Sequence, residues 1–163
     1  MMGGPVHSTS MVIPVVIEQH AEAAAFHWLL RDAAVCAPHY SLHDLAKLDN
    51  RLDAHMDGLR IAGEAGWEIC KEQLGWEEAG EVFVSAVLAF QSGHEARMQA
   101  VLEAGSASRE LSRGLVSALG WLPYQQAETY IQQLLTAVFF FDFNTLQWAN
   151  PHGFSCTGSD KIR

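Results

Sequence analysis

The sequence is short of cysteine, of basic charge and of long apolar runs, and each shortage closes off a class of protein. Its three cysteines, Cys36, Cys70 and Cys156, lie far apart with no CxxC pair. That spacing disfavours a disulfide framework or a zinc module, and the default setting is a reducing, cytoplasmic one. Lys and Arg number 10 against 19 Asp and Glu, a formal charge of −9, and no basic run is present to neutralise a row of phosphates. Nucleic acid is therefore not an expected partner. The apolar run Met11–Ile17 is short, contains Pro14 and has no basic segment before it, so neither a signal peptide nor a membrane span is read there. The chain has no P-loop, no G-x-S-x-G elbow and no G-x-G-x-x-G after a strand, which removes the commonest nucleotide and serine-hydrolase signatures.

What is present is helical. Apolar residues make up 49% of the 163 and charged residues 18%, a balance suited to one well-filled domain. Val84–Phe90 aligns with Leu115–Trp121 at an offset of 31, and, with two extra residues in the turn, Met98–Ala104 aligns with Ile131–Ala137. Each copy reads as helix, short turn, helix. A period of roughly 30–45 residues marks stacked helical hairpins. The expected fold is all-α, a short HEAT-like solenoid of antiparallel hairpins with about seven helices, three forming an N-terminal cap and four forming two repeats. Residues 1–15 read as a lead-in, with Met11 an alternative start, 16–137 as the helical-repeat domain, and 138–163 as an aromatic tail.

Local signals predict the helix limits. The first helix is expected from Ile17, with Phe26, Leu29, Leu30 and Ala33 on its apolar side, and Ala37-Pro38 ends it. Ser41 with Asp44 three residues on forms a capping-box pattern opening a second helix, whose stripe runs Leu42, Leu45, Leu48, Leu52, Met56, Leu59. Gly93 and Pro123 punctuate turns, and Gly105–Ser108 has turn composition with Ser108 as N-cap. Trp76 is expected to plug a seam, and the tryptophans at 28, 67 and 121 to fill core or seam.

Two surfaces stand out for partner binding. Glu64, Glu68, Glu72, Glu77, Glu78 and Glu81 crowd one span relieved only by Lys71, a solvated face or a patch that steers a basic partner. His20, Ala24, His27 and Arg31 form a polar, small stripe, read as a solvated or partner-facing edge. His55 reads as a boundary residue with a hydrogen-bonded nitrogen, and Cys36 and Cys70 as inert buried thiols. Asp49, Asp53 and Asp57, at i, i+4 and i+8 beside His55, are the alternative: a helical-bundle metal hydrolase, though no Glu-x-x-His accompanies them. No catalytic residue, cofactor or metal is expected under the main reading. Phe139, Phe140, Phe141 and Phe143, with Trp148, are either a cap on the last repeat or a self-association site.

Val16-Ile17-Glu18-Gln19-His20-Ala21-Glu22-Ala23-Ala24-Ala25-Phe26, Trp28-Leu29-Leu30-Arg31, Leu52-Asp53-Ala54-His55-Met56-Asp57-Gly58-Leu59-Arg60 and Gly114-Leu115-Val116-Ser117-Ala118-Leu119-Gly120-Trp121-Leu122 carry a resemblance. They resemble the N-terminal part of an uncharacterised proteobacterial family with HEAT-like helical repeats, some members of which lie near type VI secretion genes. The resemblance covers 16–137 and implies a helical scaffold with an accessory, adaptor or immunity-type binding role. It supplies no catalytic residue. Longer members continue with further repeats, so the chain is either a short form with its own cap or a truncated relative.

Overall fold

The computed structural model describes residues 13–140, with side chains through Leu135. Among the described residues there are seven α-helices: α1 Pro14–Val35, α2 Leu42–Ala62, α3 Glu64–Gln73, α4 Ala79–Ser92, α5 Glu95–Ser106, α6 Arg109–Trp121 and α7 Tyr124–Phe140. A single 3-10 turn, Leu74–Trp76, joins α3 to α4. No helix among them is long and apolar enough to cross a membrane. The expectation for the phenylalanine tail lies outside the described side chains.

The helix limits follow from local chemistry. α1 starts at Pro14, three residues earlier than expected, because proline's fixed φ suits the first helical position and its missing N–H costs nothing there. At α2 the capping box forms: the Ser41 hydroxyl accepts from the Asp44 amide at 3.3 Å, and the Asp44 carboxylate accepts from the Ser41 amide at 3.3 Å. Gly63, at φ 59°, turns the chain directly from α2 into α3, and Gly93, at φ 67°, closes α4. Ser108 caps α6 by accepting from the Leu111 amide at 3.2 Å. Gly105 proves helical rather than part of the turn, since α5 runs to Ser106.

The core is built around α4. Every residue from Val82 to Phe90 is buried, as a helix apolar on all sides must be. α1 crosses it where a side chain on Gly80 would strike the Ala25 carbonyl oxygen, and α6 crosses it where one on Gly114 would strike the Ala79 carbonyl oxygen. On α3, the Cys70 carbonyl accepts from the Ser85 hydroxyl at 3.0 Å. On α7, Gln126 Nε2 at 2.9 Å and the Tyr130 hydroxyl at 2.8 Å both donate to the Phe90 carbonyl of α4.

The face α1 buries is not the expected one. Ile17, Ala21, Ala24, Ala25, Trp28 and Ala34 are buried, whereas Phe26, Leu29 and Ala33 are exposed and Leu30 is half-buried. α1 carries apolar side chains on two faces, and Phe26, Leu29 and Ala33 continue the exposed stripe of Glu18 and Glu22, so its neighbours choose the face. The close approach at Gly80 admits alanines and not phenylalanine. In α2 the stripe holds from Leu48 to Leu59, but Leu42, in the first turn, is 86% exposed.

Candidate functional site

The acidic span does form a solvated face. Glu64, Glu68 and Glu72 lie one helical turn apart on α3 and are exposed, and Glu77 and Glu78 continue the patch past the 3-10 turn. Two of the five are engaged: Glu64 pairs with Arg97 of α5, whose guanidinium sits 5.0 Å from the Trp67 ring centroid, and Glu68 lies 3.9 Å from Lys71. No ion pair reaches Glu72 or Glu78 among the described residues. An open depression of about 290 Å³ lies among Glu68, Ile69, Lys71 and Glu72. It is too shallow to enclose a small molecule, and a broad partner is better suited to it. Trp76 does not plug the seam: it is 54% exposed between Glu72 and Glu77, because the 3-10 turn carries it off the core. An exposed tryptophan beside a charged rim is the kind of residue that anchors protein interfaces.

Glu81 separates from this patch. It sits in the first turn of α4 with Oε2 buried and without a hydrogen-bond partner. Burial, followed by the charges of Glu78 and Glu22, raises its pKa above the ordinary 4.5, against the pull of its own backbone amide. An acid whose folded pKa is raised destabilises the fold while ionised, and the penalty fades as pH falls through the folded pKa toward 4.5. Glu81→Gln is therefore expected to stabilise the chain at neutral pH, by up to about 1 kcal/mol because the group is only half-buried. The gain should shrink on acidification, as read from urea midpoints at the two pH values.

The histidine stripe is not an outer edge. Ala24 is fully buried, and His20, His27 and Arg31 are half-buried against α2. His20 Nδ1 lies 3.1 Å from His55 Nδ1, and the His55 ring centroid is 5.3 Å from that of His20 and 5.2 Å from that of His27. His27 donates its Nδ1–H to the Ala23 carbonyl at 2.7 Å. Arg31 bonds Asp49 of α2 at 2.8 Å and lies 5.9 Å from the centroid of the Trp121 ring on α6. The expected hydrogen-bonded nitrogen of His55 is present, but its partner is another histidine from α1. The small Ala24 between the two histidines was the signal in the sequence, since a small residue within a polar stripe permits a close helix approach.

The three aspartates of the alternative reading do not converge. Asp49 is held by Arg31 of α1, Asp53 accepts from Trp121 Nε1 of α6 at 3.1 Å, and Asp57 pairs with Arg60 at 2.6 Å. Arg60 in turn donates to Gln91 of α4 at 3.0 Å. Asp49 and Asp53 tie α2 to α1 and α6, Asp57 pairs within α2, and among the described residues no group of three His, Cys, Asp or Glu side chains is placed to hold a metal ion. The thiols divide: burial pushes Cys70 up to about 12, making it inert as expected, but Cys36 is exposed just past α1 and is not a free thiol.

Comparison with known protein families, curated proteins and solved structures found no match. The resemblance to the HEAT-like family therefore rests on the quoted strings alone.

Proposed function

We propose that the chain is a non-enzymatic protein-binding module that engages a partner with a basic surface through the α3 acidic face and Trp76. The observation that carries this reading is the set of exposed acids Glu64, Glu68, Glu72, Glu77 and Glu78, with the half-exposed Trp76 between Glu72 and Glu77 in the chain. Such a set speeds encounter with a basic surface, and the indole supplies the apolar anchor that charge alone lacks. The scaffold on this reading is a short HEAT-like array in which α4–α5 and α6–α7 are successive hairpins. Its support is the packing of α4 on α6 and the short turns at Gly93 and Pro123. An accessory, adaptor or immunity-type role beside a bacterial secretion system follows from the resemblance and belongs to the same proposal.

The test is capture from the native host with the tagged chain, followed by identification of what co-elutes in stoichiometric amount. One dominant partner with a basic surface is expected. Its association should slow at least about tenfold, and lose most of its salt dependence, when Glu68, Glu72 and Glu78 are reversed to lysine. Unchanged kinetics in the reversed protein would remove this surface, and recovery of no partner would remove the binding role.

A further inference from the structure

We propose that His20, His27 and His55 form an acid-sensitive seam, at which protonation loosens α1 from α2. The inference rests on three imidazoles from two helices meeting in one half-buried row, with the His55 ring between those of His20 and His27. The 3.1 Å contact between His20 Nδ1 and His55 Nδ1 is a hydrogen bond only while one nitrogen keeps its lone pair. With both rings protonated, two N–H donors face one another. His27 has already committed its Nδ1–H to the Ala23 carbonyl, so its second proton must go to Nε2 and bring a further charge beside His55. His20 also has little room on one side. A side chain at Gly58 would lie 2.8 Å from its ring, so the imidazole rests on the α2 backbone itself.

The surrounding charges offer no relief. On the seam, Arg31 and Asp49 neutralise each other. From α6, Trp121 bonds Asp53 and Arg113 pairs with Asp32. From α4, Glu81 feels Glu78 and Glu22, not the histidines. On α3, Glu64 and Glu68 are paired with Arg97 and Lys71, and Glu72 is exposed. Burial first, then the charges of His27 and His20, lower the His55 pKa from its ordinary 6.5. A histidine lowered in the folded state contributes stability above the unfolded value and loses it as pH falls below about 6.5. Glu81 acts in the opposite sense, and it is common to both proteins compared below.

The experiment measures the melting temperature of the full chain and of His55→Gln at about pH 7.5 and about pH 5.5, where histidine charge changes. Glutamine keeps a hydrogen-bonding group and cannot charge. The wild-type chain should lose at least about 4 °C more than the variant on acidification. Equal losses overturn the proposal. If the variant does not fold, the His55 imidazole is followed by NMR in the wild-type chain and in His27→Asn. Its titration should move to higher pH when the neighbouring charge is removed, and an unmoved titration overturns the proposal.

Discussion

Gly114→Ala is expected to destabilise the chain by about 2 kcal/mol or more, although alanine is the better helix former by about 1 kcal/mol. A β-carbon at Gly114 would lie 2.2 Å from the Ala79 carbonyl oxygen, 3.1 Å from the Ala79 carbonyl carbon and 3.1 Å from the Phe83 nitrogen. All three are backbone atoms of α4, so no rotamer change relieves the clash, and α6 has to move off α4. Nor can α4 retreat. On its other side Gly80 is pressed against α1, where a β-carbon would lie 2.8 Å from the Ala25 carbonyl oxygen. Gly120, near the end of the same helix, is the internal control: a β-carbon there meets nothing within 4 Å. Gly120→Ala should be neutral or stabilising by up to about 1 kcal/mol. Urea midpoints of the two variants should differ in sign relative to the wild-type chain, and equal midpoints would show that α6 does not cross α4 at Gly114.

Phe83→Ala should cost about 3–5 kcal/mol, the range for deleting a fully buried aromatic side chain. Phe83 is 0% exposed at the point where α1, α4 and α6 meet. Its ring stacks on Trp28 at 5.3 Å with 17° between planes, and it meets Trp121 edge-on at 5.7 Å and 86°. Deleting it leaves both indoles without a face to pack on. Two effects should therefore appear together, a large fall in the urea midpoint and a loss of near-UV circular dichroism from the tryptophans. Phe83→Leu, which keeps most of the volume, should cost less than half as much. A loss near zero for Phe83→Ala would mean that this junction is not the centre of the core.

Both predictions turn on α4, the first helix of the stretch in which the sequence repeats, yet the crossing itself is not visible in the sequence. Gly80 and Gly114 read as ordinary small residues in helical segments, and only their opposed positions give them their effect. The same holds at the candidate surfaces. The exposed acids at 64, 68, 72, 77 and 78 were legible because a run of carboxylates cannot be buried without partners. The reassignment of His20, His27 and Arg31 from an outer edge to an inter-helix seam depends on α2 arriving with His55 and Asp49, about 20 to 35 positions along the chain. The three aspartates shared a helix in the sequence, and their partners came from α1 for Asp49, from α6 for Asp53, and from Arg60 of α2 itself for Asp57 and, at 3.9 Å, for Asp53.

The sequence by itself determined the all-α class, the breaks at Pro38, Gly93 and Pro123, the capping box at Ser41 and Asp44, and most of the α2 stripe. These features are set by bonds and dihedral preferences within a few residues, so they survive without knowledge of what lies alongside. The tertiary structure alone decided which side of α1 is buried. That helix carries one stripe of Ala21, Ala24, Ala25 and Trp28 and another of Phe26, Leu29 and Ala33, where the larger apolar side chains share their face with Glu18 and Glu22, so hydrophobicity and charge point opposite ways. The choice falls to how near the next backbone comes. With Gly80 of α4 drawn against the Ala25 carbonyl, only the alanine stripe fits, and Phe26 and Leu29 are left facing outward.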